Sequence, residues 1–159
     1  MSEETKSGAN RFREVLDKVG LSSRIIDFSC STRSSSEAAQ AIGCEVGQIV
    51  KSLVFEGVHT HRPFLVLASG GNRVNEKQLE DLVGEPVHKG DAQFVRAKTG
   101  FAIGGVPPLG HEEEIETFID QDLEKYEELW AAAGDPHSVF RISFQELVEL
   151  TGGRVVSIK

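Results

Sequence analysis

The chain has 159 residues, which is enough for one domain with a sizeable hydrophobic core. Hydrophobic residues make up 39% and charged residues 26% of it, as in ordinary globular proteins, and no apolar stretch is long enough to cross a bilayer. The first residues have neither the basic region nor the apolar region of a secretory signal. We therefore expect a cytoplasmic protein with a disordered tail over residues 1–9 and one domain over residues 10–159. Cys30 and Cys44 lack zinc-ligand spacing and are expected to be reduced thiols.

Charge is unevenly distributed along the chain. The formal net charge of −8 at first argues against a nucleic-acid partner. Residues 112–130, however, contain nine acidic residues and one lysine, and the rest of the chain is balanced with 16 acidic and 16 basic residues. We expect the acidic segment to be a solvated face, which leaves the remaining surface free to present basic groups.

Short helices are predicted from apolar spacing, from capping side chains and from glycines that end helices. In chain order they are 11–19 after Asn10, 37–42 after the serine cluster at Ser34, a turn at 46–49, 76–82 after Asn75, 92–98 after Asp91, 126–133 before Gly134, and 144–150 after the capping box of Ser143 and Glu146.

Short strands are predicted between these helices from apolar and β-branched runs. In chain order they are 24–28, 50–55, 63–68, 86–88, 101–103, 115–119, 138–142 and 155–158, with a hairpin loop at 57–62 and a turn at 69–72. Strands and helices mix without regular β-α alternation, so we predict an α+β domain.

Lys51 interrupts the apolar run from Ile49 to Phe55, which is typical of a buried strand. A buried charge is costly unless it has a partner or a ligand. One interpretation is a strand-end lysine whose ammonium group reaches water. The other is an ammonium group that binds a phosphate or a carbonyl oxygen in a pocket.

The segment Gly104–Gly110, with the sequence Gly-Gly-Val-Pro-Pro-Leu-Gly, is the second candidate. Its glycines permit positive φ and its prolines stiffen the chain, as in an ordinary connection. The functional interpretation is a backbone cradle whose N–H groups bind an oxyanion or a phosphate beside a small apolar wall. It is neither a Walker A motif nor a dinucleotide fingerprint.

Motifs for a covalent nucleophile are missing from the sequence. There is no GxSxG motif, and the five histidines, at 59, 61, 88, 111 and 137, lack metal-ligand spacing. A hydrolase with this sequence would activate water or use a group of its substrate. The roles of His88, His111 and His137 stay open at this point.

Basic residues lie between the two candidate segments. They are scattered surface charge in one interpretation and RNA-phosphate contacts in the other, if they converge in space. They are Arg73, Lys77, Lys89, Arg96 and Lys98.

Five stretches of the chain resemble the YbaK/EbsC family, also called the prolyl-tRNA synthetase-associated editing domain. The lysine strand combined with the Gly-x-x-Pro loop is a fairly specific pairing. The resemblance covers nearly the whole chain after its first turns and is carried by Ala41–Phe55, Leu65–Gly70, Asn75–Leu79, Ala97–Gly110 and Ala131–Val156.

The resemblance implies a single α+β domain with a mixed, barrel-like sheet surrounded by short helices. The implied activity is trans-editing, the hydrolysis of the ester of a mischarged small amino acid on tRNA, most typically tRNA(Pro). It implies no metal or organic cofactor, and it implies aminoacyl-tRNA and a prolyl-tRNA synthetase as partners. The residues implied as catalytic are Lys51, Gly104 and Gly105, and those implied as substrate-binding are Ser52, Val106, Pro107, Pro108, Gly134 and His137.

The edited amino acid is not determined by the resemblance. Alanine-specific members resemble one another in carrying asparagine after the lysine, whereas this chain has Ser52. Gly134-Asp135-Pro136-His137 also differs from the glycine- and basic-rich stretch of cysteine-specific members. Ser52 or His137 could hydrogen-bond a polar side chain such as that of serine, threonine or cysteine.

Two other classes of function are compatible with the sequence. A non-catalytic module that binds tRNA ends or a synthetase is the alternative to an enzyme. A phosphate-binding protein for small ligands is a third interpretation, against which the missing Walker motif counts.

Overall fold

The structure is a computed structural model that describes residues 8–30, 32 and 34–159. Residues 1–7 of the predicted tail lie outside this part. The helices are α1 (Gly8–Val19), α2 (Ser35–Ile42), α3 (Glu76–Val83), α4 (Ala92–Thr99) and α5 (Phe144–Thr151). The strands are β1 (Ile25–Asp27), β2 (Ile49–Gly57), β3 (Pro63–Ser69), β4 (Val87–Lys89), β5 (Glu116–Asp120), β6 (Leu129–Ala132), β7 (Ser138–Ile142) and β8 (Arg154–Val156).

The helix ends agree closely with the capping residues of the sequence. Ser34 accepts the Glu37 N–H at 3.0 Å and begins α2, and Ser143 accepts the Glu146 N–H at 3.1 Å and begins α5. Asn75 caps α3 in the same way. The start of α1 is an exception: the helix begins at Gly8, so Asn10 lies within the helix and is not its cap.

One mixed sheet in the order β1-β7-β6-β2-β3-β5-β8 carries all the strands, with β4 paired to the far end of β2. The α+β class and the mixed sheet are confirmed. Among the described residues β1 and β8 form the two ends of the order and do not pair with each other, so the sheet is open.

The segment predicted as a helix over 126–133 is instead the strand β6. It pairs in parallel with β2 and antiparallel with β7, for example Trp130 with Ile49 and with Arg141. Leu129 and Ala131 join the main core, while Trp130 packs with Ile49 on the other side of the sheet. A strand covered on both faces is a continuous apolar run, which sequence periodicity does not distinguish from a buried helix.

The predicted strand at 101–103 is also wrong, because local contacts use its backbone groups. The Phe101 N–H donates to the Thr99 hydroxyl at 3.0 Å, and the Gly105 N–H donates to the Ala102 carbonyl at 2.9 Å. These turns deliver the loop from Gly104 to Gly110 without any strand pairing.

The main core lies between the sheet and α1, α4 and α5. Phe12 and Leu16 of α1 are fully buried and pack with Phe140 of β7 and Leu147 of α5. This packing holds the strands that carry the candidate site. No helix in the described part of the chain is long and apolar enough to cross a membrane.

Candidate active site

A cavity of about 420 Å³ lies where β2 and β6 separate. The two strands pair only through Ile49–Trp130 and Val50–Ala131, and then diverge. The start of α2 and the loop after α4 close the gap. The cavity is mostly apolar and is lined by Thr32, Ser34, Ser35, Ala38, Ile49, Val50, Lys51, Ser52, Leu53, Gly70, Ile103, Gly104, Val106, Trp130, Ala131, Ala132 and Val139.

Lys51 extends from the middle of this wall. Its Nζ donates to the Asn72 carbonyl at 2.5 Å, so the ammonium group is held against the turn after β3. Burial lowers the pKa of Lys51, and the positive charges of Lys89 and Arg73 lower it further, against a smaller opposing effect of Asp120. The side chain is partly buried among cations, which is the electrostatic setting of an anion-binding site.

A second, polar hollow of about 550 Å³ shares Lys51, Leu53 and Gly70 with the apolar cavity. Arg73 and Lys89 line it, and both are exposed. Arg73 and Lys89, two of the five basic residues between the Lys51 strand and the glycine loop, therefore lie close to Lys51. Lys98, another of the five, instead pairs with Glu113 at 3.3 Å. We call this hollow, with Lys51, Arg73 and Lys89, the basic groove. Lys51 stands at the junction of the apolar cavity and the basic groove.

Asp120 positions the turn that receives Lys51. This fully buried carboxylate accepts the Ser69 N–H at 2.9 Å and the Asn72 side-chain amide at 2.8 Å through Oδ2. Its Oδ1 accepts the Asp122 N–H at 2.9 Å. Asp120 is therefore a buried structural group, although its segment was predicted to be a solvated face. Its carboxylate tolerates burial because three N–H groups donate to it.

The glycine loop is folded tightly against the turn between β6 and β7. Gly104 has a φ of 92°, in the left-handed region. A Cβ on Gly105 would lie 2.6 Å from the Asp135 Cα, so glycine is needed there for a close backbone approach. The His111 Nε2 donates to the Pro107 carbonyl at 2.7 Å and holds the far end of the loop.

Four of the nine predicted site residues line the apolar cavity: Lys51, Ser52, Gly104 and Val106. The other five are not among its lining residues. Gly105, Pro107, Pro108 and Gly134 are buried around it, and His137 is exposed. The His137 N–H donates to Asp135 Oδ1 at 2.7 Å, so the residue belongs to the turn itself.

Ser35 and Trp130 are among the lining residues that were not predicted from the sequence. Ser35 was interpreted only as part of a capping cluster, and Trp130 was placed in a helix. The single tryptophan of the chain was an available signal, but its approach to Lys51 depends on the parallel register of β2 and β6.

Metal-binding geometry is lacking in the residues that the structure describes: no three His, Cys, Asp or Glu side chains are arranged to hold an ion. Within this range Cys30 and Cys44 are both free thiols.

A family model of the aminoacyl-tRNA editing domain matches residues 30–150. The chain belongs to this family. The match spans the apolar cavity, the basic groove and the glycine loop.

Similar proteins carry related names. A solved structure described as "a putative trans-editing enzyme for prolyl tRNA synthetase" is 44% identical, with a TM-score of 0.89 over 97% of this chain and 98% of that one. The Enterococcus faecalis protein named "Putative Cys-tRNA(Pro)/Cys-tRNA(Cys) deacylase EbsC" is 26% identical over 79% of this chain and 76% of its own. The proline–tRNA ligase of Limosilactobacillus fermentum is 32% identical over 55% of this chain and 16% of its own length.

Proposed function

We propose that this protein is a trans-editing deacylase that hydrolyses the ester between a small mischarged amino acid and tRNA, with tRNA(Pro) as the tRNA. The observation that carries the proposal is the position of Lys51 between an apolar cavity and a basic groove. An aminoacyl-tRNA end has the same two parts, a small side chain and a phosphodiester chain, joined at an ester. The names of EbsC and of the proline–tRNA ligase support tRNA(Pro).

In this arrangement the aminoacyl group enters the cavity and the terminal phosphates lie in the basic groove. The Lys51 ammonium group binds an oxygen at the junction, that of the terminal phosphate or of the ester carbonyl. Arg73 and Lys89 contact the phosphates. Held in this way the ester carbonyl faces the glycine loop.

The nucleophile in the proposal is water, which is bound in the cavity or assisted by a hydroxyl of the terminal ribose. None of the described residues that line the cavity is His, Cys, Asp or Glu, so the proposal uses neither a carboxylate or imidazole base nor a cysteine nucleophile from that wall. The water oxygen adds to the ester carbonyl carbon and loses a proton, the bond to the ribose oxygen then breaks, and that oxygen takes up a proton as it leaves. An aminoacyl ester is already activated, so positioning supplies much of the rate.

Backbone N–H groups of Gly104 and Val106 are the proposed oxyanion donors, because both residues line the cavity. Gly105 acts differently in this proposal. Its N–H already donates to the Ala102 carbonyl, and its missing side chain lets the loop approach Asp135. Gly105, Pro107, Pro108 and Gly134 then shape the loop behind the reacting ester.

The test is the deacylation of tRNA(Pro) charged with alanine, serine, threonine, cysteine or proline, with wild type and Lys51→Ala. We expect selective hydrolysis of a mischarged ester and a loss of about a hundredfold or more in kcat/KM in the variant. Lys77→Ala is the matched control, since Lys77 is an exposed lysine outside both hollows. Retained tRNA binding without hydrolysis by wild type would instead establish a non-catalytic binding module.

A further inference from the structure

The main chain of Ser52 faces the edge of β2 on which β6 and β4 pair. Backbone groups of alternate residues in a strand point to the same edge. The Val58 N–H donates to the Pro86 carbonyl at 2.8 Å, and the Val54 carbonyl accepts the Gly90 N–H at 2.9 Å, both on the β4 side. The Ser52 N–H and carbonyl therefore point to that edge as well, and away from β3.

Pairing along this edge leaves out one residue. β6 pairs with β2 through Ile49 and Val50 and goes no further, and the contact with Gly90 begins at Val54. In the part of the chain that the structure describes, neither a strand nor a loop hydrogen-bonds to the Ser52 main chain on this edge. Nearly all backbone groups inside proteins are paired, so an open N–H and carbonyl at a cavity wall indicate a partner from outside the chain.

The gap opens into the apolar cavity, which Ser52 lines. The Ser52 hydroxyl is covered by protein and lies on the face of β2 that Val50 and Val54 bury in the main core. The atoms of Ser52 at the cavity wall are therefore those at the strand edge. A polar contact of Ser52 with a ligand is thus made by its main chain, and not by the hydroxyl considered from the sequence.

We propose that the Ser52 main chain binds the α-amino group of the aminoacyl ester, and that the substrates of this protein are esters with a free α-amino group and not N-acylated or peptidyl esters. This inference rests on the proposed deacylase function and names the substrate class of the same site. An aminoacyl residue carries an amino donor and a carbonyl acceptor on one carbon, as the residue opposite Ser52 in an antiparallel pair would. The amino group donates to the Ser52 carbonyl. The ester carbonyl oxygen has two lone pairs, which accept from the Ser52 N–H and from the glycine loop.

The cavity wall offers an amino group no carboxylate. Among the described residues that line it, none is acidic, and the one charged side chain is that of Lys51, a cation. An amino group that leaves water needs an acceptor, because a buried polar group without a partner is costly. The Ser52 carbonyl is an acceptor that the fold leaves open.

The length of the gap limits the ligand to one residue. Ala131 of β6 occupies the edge on one side of Ser52, and Gly90 occupies it on the other. An N-acyl group or a second residue would extend the ligand along the edge into one of them, whichever way it runs. A single aminoacyl residue fits, and its ester end turns out of the sheet toward Lys51 and the basic groove.

Three esters of tRNA(Pro) test this substrate class. They carry the mischarged amino acid that the deacylation panel selects, its N-acetyl derivative, and the α-hydroxy acid in which a hydroxyl replaces the amino group. Each kcat/KM is divided by the spontaneous hydrolysis rate of the same ester, since the amino group also activates the ester. We expect a loss of about tenfold or more for the α-hydroxy ester, as for a lost hydrogen bond to a charged group, and a larger loss for the N-acetyl ester. A normalised rate equal to that of the free amino ester, in either analogue, overturns the inference.

A backbone substitution tests whether the Ser52 carbonyl causes the preference. Leucic acid in place of Leu53 turns the amide between the two residues into an ester, whose carbonyl is a weaker acceptor, and keeps every side chain. It also removes the Leu53 N–H, which faces β3. The matched control is phenyllactic acid in place of Phe55, which removes an N–H on the same β3 edge and weakens the Val54 carbonyl, the partner of Gly90.

The readout is the ratio of normalised rates for the amino and α-hydroxy esters, measured on one preparation so that partial loss of folded protein cancels. We expect this ratio to fall about threefold or more with the substitution at Leu53 and to keep its wild-type value in the control. An unchanged ratio at Leu53, or an equal fall in both proteins, contradicts the assignment.

Failure of the proposed function is distinguishable from failure of this inference. If wild type hydrolyses no ester above the spontaneous rate, calorimetry measures binding of 3′-amino-3′-deoxyadenosine amides that carry alanine, N-acetylalanine or lactic acid. A preference for the alanyl amide that the substitution at Leu53 reduces supports recognition of the amino group by a binding module. Equal affinities overturn it.

Discussion

His111 is a partly buried contact of the glycine loop that makes the stability of the protein depend on pH. Burial lowers the pKa of His111 below its ordinary value of 6.5, against a smaller opposing effect of the Pro107 carbonyl. The carbonyl only accepts, so the neutral ring carries its proton on Nε2. The folded state therefore favours the neutral imidazole, and protonation favours unfolding.

We expect the stabilisation linked to His111 to be complete above pH 6.5 and to be lost as the pH falls from 6.5 to the lowered folded pKa. The measurement is urea unfolding of wild type and of His111→Gln, whose amide can donate to Pro107 without titrating. Wild type should lose more free energy of unfolding than the variant between pH 7 and pH 5. Parallel pH profiles would show that His111 does not cause the loss.

Residue by residue, the sequence predicted the groups with unusual chemistry better than those with ordinary chemistry. A lysine inside an apolar strand and a glycine–proline loop are conspicuous because each conflicts with its local context. Ser35 and Trp130 fit their local contexts as a helix start and a core aromatic. Their place in the cavity depends on how α2 and β6 approach β2, which is a tertiary property.

At the scale of elements, the turn after β3 depends on one carboxylate from β5. Asp120 holds Ser69 and Asn72, and Asn72 in turn receives Lys51. In Asp120→Asn one carboxylate oxygen becomes an amide that faces N–H donors. We expect a loss of about 1–3 kcal/mol in the free energy of unfolding, together with reduced activity of the folded protein. Urea unfolding and deacylation at a temperature where both proteins are folded measure the two effects.

Asp122→Asn is the matched control for this experiment. Asp122 also accepts from Asn72, at 2.9 Å, and pairs with Lys159 at 2.9 Å, but it is not fully buried. We expect its substitution to cost at most about 1 kcal/mol, as for an exposed ion pair. Equal losses for the two variants would argue against a special role of the buried carboxylate.

Elements with local signals were predicted well, and elements defined by pairing were not. The serine, asparagine and aspartate caps of α2 to α5 act within one helical turn, so the sequence contains all the interactions that define them. Leu129–Ala132 is a strand only because β2 and β7 lie on either side of it. Gly134, predicted to end a helix, has a φ of 105° in the turn from β6 to β7 instead.

For the whole molecule, the distribution of charge matters more than the net charge of −8. Six of the nine acidic residues of segment 112–130 are exposed, as in a solvated face, and five of the nine form ion pairs, one of them between Asp122 and Lys159. The other four pairs join the segment to basic residues of four other elements or loops, in Glu112–Arg11, Glu113–Lys98, Glu116–Arg62 and Glu128–Arg141. Arg73 and Lys89 line the basic groove together with one carboxylate, that of Glu76, and their positive charges act on Lys51.

The salt dependence of tRNA binding should therefore follow the basic groove and not the net charge. Each phosphate contact of a single strand contributes about 0.7 to the slope of log K against log salt concentration, because binding releases counterions. We expect Arg73→Gln/Lys89→Gln to weaken binding at low salt and to reduce that slope by about 1.4. The control Lys77→Gln/Arg96→Gln removes the same charge from exposed residues that do not line the groove, and should leave the slope nearly unchanged. Fluorescence anisotropy of labelled tRNA over a series of salt concentrations measures this slope for both double variants. Equal changes in slope would mean that overall charge, and not the groove beside Lys51, holds the nucleic acid.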